Sequence, residues 1–399
     1  MIFKEREFQP PDSLPTGAEV VIIGAGIVGA ATAYYLAKAG LVVWVVDRGG
    51  IAAGTSGSGE GNILLSDKLP GPELELAKAG VKLYSQLSQE LPDDFEYEPK
   101  GGVVVAETER GLPGLHNHVT AMTGSGVRCQ LLSEVELREA EPFLSHNVGG
   151  ASFFPDDAQV QPMLAAAALI KGAIRAGAIF QPHTEVRSIE RDQQGQITAV
   201  VTSRGKIATN RVVNAAGPWS PIIAALAGIE LPIKPRKGHI IVTEPLPKLV
   251  YHKVFEAGYS DTVNSSEADL QVASVVEGTK SGTILIGSSR QLVGFDTRIE
   301  VRVLRALAER AIRFFPVLER VNALRAYTGF RAFAPDHLPV IGEVPGVPGF
   351  YINTGHEGAG IGLGPISGQL LSQLICEQPP ALDPAPYSPA RFKDLAVKI

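Results

Sequence analysis

The chain has 399 residues and 42.2 kDa, 45% apolar and 20% charged, which is ordinary globular composition with length for roughly two or three domains. Its 36 basic residues against 42 acidic ones leave a net charge of −6, so no basic surplus exists to make nucleic acid the main partner. No run reaches the ~18 apolar residues of a membrane span, and Cys129 and Cys376 alone exclude a disulfide framework or an iron–sulfur cluster held by this chain by itself.

Residues 1–17 read as a polar lead-in arm without an apolar signal region, which points to a cytoplasmic protein, soluble or peripheral to a membrane. Val20-Val21-Ile22-Ile23 is a continuous apolar run stopped by Gly24, the pattern of a strand buried on both faces. Ile27 to Ala39 is Ala-rich and helical, with Gly40 at the C-terminal cap. Val42 to Val46 is a second buried strand closed by Asp47, so the chain opens with a βαβ unit. Gly49 to Gly61 is a Gly/Ser/Thr loop. A helix after Pro72 buries Ala77, Val81, Tyr84, Leu87 and Leu91.

Further on, Val103 to Ala106 is a strand, and Ser133 with Glu136 has the spacing of a capping box. Val160 to Ala176 is a second Ala-rich helix ended by Gly177. Thr184 to Glu190 and Gln196 to Thr202 form a hairpin around Gln193-Gln194-Gly195. Arg211 to Ala215 is another buried strand, running into Ala216-Gly217-Pro218-Trp219. The stretch 232–290 is strand-rich, and Ile299 to Phe315 is a helix. Phe350 to Asn353 is a strand that runs into Thr354-Gly355-His356-Glu357-Gly358-Ala359-Gly360, followed by a helix to about Cys376 and a Pro-rich coil. There is no fixed-period repeat.

Gly24-Ala25-Gly26-Ile27-Val28-Gly29 is a G-x-G-x-x-G between a strand and a helix. The first glycine permits the tight turn, the second lets backbone approach a pyrophosphate, and the third lets helix and strand pack closely. Asp47, at the end of the second strand, is placed to accept a hydrogen bond from a ribose hydroxyl, with Arg48 at the rim. NAD and FAD share this fingerprint. The small-residue loop at 53–62 gives an extended cofactor room, and the Gly-rich turn at 355–360 opens a helix whose N-terminus can stabilise charge on a reduced flavin. The three loops together favour FAD.

In these motifs the chain resembles the D-amino acid oxidase-like flavoproteins, which include glycine oxidase, sarcosine oxidase and D-amino acid dehydrogenase. The resemblance runs from Val20 to about Leu374. It rests on 21–29, on Val212 to Trp219, on Gly329-Phe330-Arg331 with Pro339-Val340-Ile341-Gly342 downstream, and on the turn at 355–365. Gly59 to Lys68 and His356 to Pro365 are similar to the β (catalytic) subunits of hetero-oligomeric dehydrogenases acting on D-hydroxyproline, proline or opines. That likeness implies a second FAD subunit and a small iron–sulfur subunit as partners, and leaves room for FMN at a subunit interface.

The fold implied is α/β: a discontinuous Rossmann-like FAD domain (1–90, 150–220 and 335–399) and a mainly antiparallel α+β substrate domain (91–149 and 221–334). The expected cofactor-binding set is Gly24, Ala25, Gly26, Ile27, Val28, Gly29, Asp47, Arg48, Thr55, Ser56, Gly59, Glu60, Gly61, Asn62, Val186, Ala216, Gly217, Trp219, Gly358, Ala359, Gly360 and Ile361. Sarcosine oxidase holds its flavin on a Cys, and Leu324 to Pro335 has none, so the FAD is expected to be noncovalent.

Flavin oxidation of an amine needs a held substrate, a neutral nitrogen and a Cα–H aimed at the ring. Arg331 matches the substrate-carboxylate Arg of glycine oxidase, and a guanidinium fork suits that task. Glycine oxidase has a second Arg where this chain has Gly358, so a bulkier or differently held substrate is expected. His356 is the second catalytic candidate, able to tune the flavin or touch substrate, with Glu357 beside it. His239, Tyr251 and Tyr259 are further pocket candidates, while His116-x-His118 lacks the neighbours a metal needs.

The expected activity is oxidation of an amino or imino acid by hydride transfer from Cα–H to flavin, with electrons passed to partner subunits or a quinone. The alternatives are a stand-alone oxidase of glycine, sarcosine or D-amino acids that uses oxygen, and a non-catalytic FAD-binding scaffold subunit.

Overall fold

The computed structural model describes residues 17–259, 267 and 269–392; most of the lead-in arm lies outside them. Val20–Ile23 pairs in parallel with Val43–Val46 on one side and Val212–Asn214 on the other. Ile179–Gln181 and Phe350–Thr354 extend this sheet in parallel, and Val340–Glu343 closes the far edge antiparallel. The continuous apolar runs follow from burial on both faces. Val20 and Ile22 pack with helices, while Val21 and Ile23 pack against a three-stranded antiparallel meander of Val186–Arg191, Ile197–Thr202 and Gly205–Ala208.

Three helices cover the first face: Ile27–Lys38, Pro162–Arg175 and Gly360–Ile375. Their small residues allow close approach: a Cβ on Gly368 would sit 2.6 Å from Thr32 N. The first helix ends at Lys38 and Gly40 turns the chain at φ +91°, as its sequence position predicts. The capping box of Ser133 and Glu136 is formed in both directions.

A nine-stranded sheet builds the other half of the molecule. Its order is His356–Glu357, Ala323–Phe333, Lys234–Thr243, Ile284–Arg290, Gln271–Gly278, Lys253–Glu256, Gly102–Ala106, Gly150–Phe154 and Gln130–Leu132. All neighbours are antiparallel except Lys253–Glu256 with Gly102–Ala106. Helix Val301–Phe314 buries Val303, Leu307, Ala311 and Phe314 against one face, an i, i+4, i+8, i+11 stripe. Gly150–Phe154 pairs in this sheet, which corrects the sequence boundary at 150, because its register with Gly102–Ala106 ties it to the antiparallel layer. His356–Glu357 hydrogen-bonds to the strand that carries Arg331 and lines the cleft between the two sheets.

Candidate active site

A single cleft of about 820 Å³ runs from the Gly-rich turn of the parallel sheet to the strands of the nine-stranded sheet. At its first end the three glycines divide their tasks. Gly24 turns at φ +113°, a conformation that favours glycine, and Gly26 lines the cleft. Gly29 does not line it: a Cβ there would meet Gly24 O at 1.9 Å, so this glycine serves helix–strand packing. Ser56 Oγ accepts from Ile27 N (3.0 Å), tying the second loop to the helix start. Asp47 lines the cleft and its two oxygens accept from Ala25 N (2.8 Å) and Gly49 N (2.7 Å), so the carboxylate orders the turn from inside. Arg48 is exposed and lies 4.6 Å over the Trp219 ring, at the rim.

Of the expected cofactor set, Ala25, Gly29 and Gly61 lie behind the surface, Ala359 lies beside the cleft without lining it, and the other eighteen line it, Val186 included. Gly61 is a packing position, since a Cβ would come within 1.8 Å of Val160 O. The sequence reading did not single out the neighbours that complete the wall, among them His183, Thr184 and Ser203, which come from the meander side and carry no motif. The glycine cradle, the acid under it and the length of the cleft fit a dinucleotide. Cys129 and Cys376 lie outside the cleft.

The second end is built on paired strands. Gly238 and Gly329 face each other across the register. A Cβ on Gly238 would meet Arg331 Nη1 at 2.4 Å, and one on Gly329 would meet Ser58 O at 2.7 Å. One glycine thus admits the guanidinium and the other admits the cofactor loop. Arg331 Nη1 donates to Ser289 O (2.8 Å) and Nη2 donates to Ser288 Oγ (3.1 Å). Both partners are neutral, and among the described residues no carboxylate lies within ion-pair distance of it. Burial, with the Arg290 charge nearby, pushes Arg331 down to about 10. Gly358 lies alongside, its Cβ position 3.5 Å from Arg331 Nε.

Behind this fork sits a buried cluster that the sequence did not disclose. Arg236 Nη1 donates to Glu357 Oε1 at 2.6 Å, Arg290 Nε lies 3.7 Å from the same oxygen, and Arg290 rests 4.7 Å over the Tyr259 ring. Burial works against the Glu357 carboxylate, but its His337 contact and the three guanidinium charges hold its pKa below the usual range. These partners come from separate strands, and no spacing in the sequence links them.

His356 lies at the cleft, but its ring is buried and Nε2 pairs with Ser367 Oγ (2.9 Å) in the following helix. Burial pushes its pKa down to about 3, so the ring is neutral and ties the turn to the helix. His239 is held between Ser289 Oγ and Glu300 N, its pKa pushed down to about 4 chiefly by burial, and it does not reach the cleft. Tyr259 lines the cleft; Tyr251 does not. His118 lies within helix Leu112–Gly124 and pairs with Ser66 O (3.0 Å). No cluster of metal-ligating side chains exists among the described residues.

A dinucleotide turn on a parallel sheet, opening onto a cationic pocket on an antiparallel sheet, defines a two-layer flavoprotein oxidoreductase. The chain belongs to the DAO family of FAD dependent oxidoreductases, whose profile matches residues 19–374. It is 31% identical to glycine oxidase of Geobacillus kaustophilus, over 94% of this chain and 97% of that one. It is 30% identical to hydrogen cyanide synthase subunit HcnC of Pseudomonas aeruginosa, over 94% and 96% respectively. The crystal structure of the Geobacillus glycine oxidase superposes with a TM-score of 0.85 at 29% identity, over 96% of this chain and all of that one. L-proline dehydrogenase from P. horikoshii superposes with a TM-score of 0.86 at 26% identity, over the same shares. The protein is therefore an FAD-dependent enzyme, and no helix among its described residues is long and apolar enough to cross a membrane.

Proposed function

We propose that the enzyme oxidises an α-amino or α-imino acid of the D-hydroxyproline, proline, opine or D-amino acid class, with its carboxylate on Arg331. The observation that carries this is Arg331 itself: a guanidinium at the cleft wall, held only by neutral groups among the described residues and backed by further cations. A substrate carboxylate supplies the anion the site lacks and receives a planar fork that fixes its angle. Gly24, Asp47 and Ser56 would hold the dinucleotide end of FAD, with the turn at 358–361 beside its ring. Bound FAD supplies the acceptor for the hydride leaving Cα. The names of the relatives, glycine oxidase and L-proline dehydrogenase, support an amino or imino acid, and HcnC, named as a subunit, supports a partner subunit as electron acceptor, with a quinone as the other acceptor of this proposal. A second FAD subunit and a small iron–sulfur subunit belong to this proposal; an FMN has no residues assigned to it and is no part of it.

The test is an anaerobic screen of amino and imino acids against the yellow holoenzyme. Bleaching by a member of this class, with little reoxidation by oxygen but rapid reoxidation by a quinone analogue, is the expected result. Failure of every compound at saturation, with dithionite still bleaching the flavin, would refute the amino-acid reading.

A further inference from the structure

We propose that Glu60 is the group that takes the proton from the substrate ammonium, so that the nitrogen is neutral when Cα loses its hydride. This rests on the amino-acid reading above and moves Glu60 from the cofactor wall to the substrate.

Glu60 lines the same cleft as Arg331 and is 9% exposed. Asn62 Nδ2 donates to its Oε2 at a long 3.3 Å, and Oε1 has no hydrogen-bond partner among the described residues. Three consecutive residues of one strand bring Glu60 and Arg331 together. Gly287 abuts Glu60, where a Cβ would meet Oε1 at 2.6 Å, while Ser288 Oγ and Ser289 O hold the Arg331 fork. One uncompensated cation and one under-bonded carboxyl at adjoining positions match the two charges of an amino-acid zwitterion.

Behind Glu60, Lys253 and Glu277 sit directly across from each other on paired strands, ion-paired and buried. Glu277 Oε1 also accepts from Gly61 N (3.4 Å). Lys253 is thus taken up by Glu277, and among the described residues no cation lies within ion-pair distance of the Glu60 carboxyl. Burial pushes the Glu60 carboxyl above its ordinary range, with the Lys253 charge opposing, which makes it a stronger base than a surface glutamate. The other ionisable groups around it are Arg331 and Tyr327, with Tyr259 close to both Lys253 and Arg331. Lys100, which donates to Gly278 O (2.6 Å) and faces Glu98 at 4.0 Å, extends the chain of charged groups from Glu277 to the surface.

The step is a proton transfer: an N–H bond of the ammonium breaks, an O–H bond forms on Glu60, and the pair left on nitrogen supports hydride loss from Cα. Proton transfer to a placed base contributes typically 10²–10⁴-fold.

The experiment compares wild type and Glu60→Gln at equal FAD occupancy, using the amino acid found in the screen. Wild-type kcat/KM should level off well below the pKa of the substrate amine. The variant should lose about 10²-fold or more near neutrality and regain about tenfold per pH unit up to that pKa, because it accepts only substrate already neutral in solution. A second readout is binding of an α-methylated analogue, which has no Cα–H to lose, followed by the flavin spectrum. Its affinity should be nearly flat with pH in wild type and should rise with pH in the variant. A simple carboxylate without an amine should bind both proteins alike. A uniform, pH-independent loss in Glu60→Gln, with parallel binding profiles, would overturn the proposal and leave Glu60 a packing group. If no amino acid bleaches wild type, the functional reading has failed, and this inference with it.

Discussion

At the level of single residues, the site separates what a motif can announce from what only folding assembles. The G-x-G-x-x-G, Asp47 and Arg331 each stand in a local pattern, and the structure places all three at the cleft or directly beneath it. Arg236 and Arg290 back Arg331 with positive charge and bracket the Glu357 carboxylate, yet the three meet only because three strands converge, and no local pattern marks them. Ser288 and Ser289 are similarly silent in the sequence although they aim Arg331. Arg331→Lys keeps a charge but loses the fork, so the carboxylate would be tethered without a fixed angle, and a misplacement of ~1 Å costs about 10²-fold in rate. Arg331→Ala should cost roughly 2–5 kcal/mol in transition-state binding. Both variants should retain FAD, because Arg331 is bonded to Ser288 and Ser289 and not to the glycine cradle. Flavin-reduction rates at low substrate and equal flavin content check this; a wild-type rate in Arg331→Ala would place the carboxylate elsewhere.

Whole elements were more legible than their contacts. Helix ends followed from capping residues and glycines, and the double-sided burial of the parallel strands from their unbroken apolar runs. The segment Gly61 to Lys68 was harder, because its order comes from a distant residue. Asp157, fully buried, accepts from Leu65 N (2.7 Å), Ser66 N (3.4 Å) and the Ser66 hydroxyl, and so holds the loop that carries Asn62 into the cleft. Burial raises its carboxyl from the ordinary 3.8 to about 7, with the Ser66 and Leu65 bonds opposing. Between those values the unfolded chain has released a proton that the folded chain keeps, so this group's contribution to stability falls as pH rises from about 4 to 7. The asparagine side chain is nearly isosteric and carries no charge. Asp157→Asn should therefore gain on wild type by about 1.4 kcal/mol per pH unit across that window, reaching about 4 kcal/mol, and stay level above it. Melting temperatures near pH 4 and pH 8 measure this. A variant less stable than wild type at the higher pH would show that the ionised carboxylate is satisfied by its three donors.

Taken as a whole molecule, the chain is two sheets that share a cleft and an apolar core, with hydrogen bonds joining them at the cleft's margins. Thr55 Oγ1 donates to Phe330 O from the cofactor loop to the strand of Arg331, and Gly61 N donates to Glu277 Oε1 (3.4 Å) from the same loop to a neighbouring strand of that sheet. A cofactor that fills the cleft touches the glycine turn at one end and the Arg331 strand at the other, so it adds contacts between the layers to those of the shared apolar core. That makes FAD a structural ligand as well as a reactant. Anything that binds the folded state alone stabilises it by mass action, about 2.7 kcal/mol at a free concentration one hundred times Kd. Stripping FAD should lower Tm by several degrees, and adding it back should raise Tm progressively with concentration beyond the point of saturation. Because neither cysteine lies at the cleft, acid precipitation of the holoenzyme should leave a colourless pellet and a yellow supernatant. AMP, which can occupy only the glycine end, should restore a small part of the shift, since it makes no contact with the Arg331 strand. A Tm independent of FAD would mean that the two sheets hold together through their protein contacts alone, and that the cofactor fills a cleft already rigid without it.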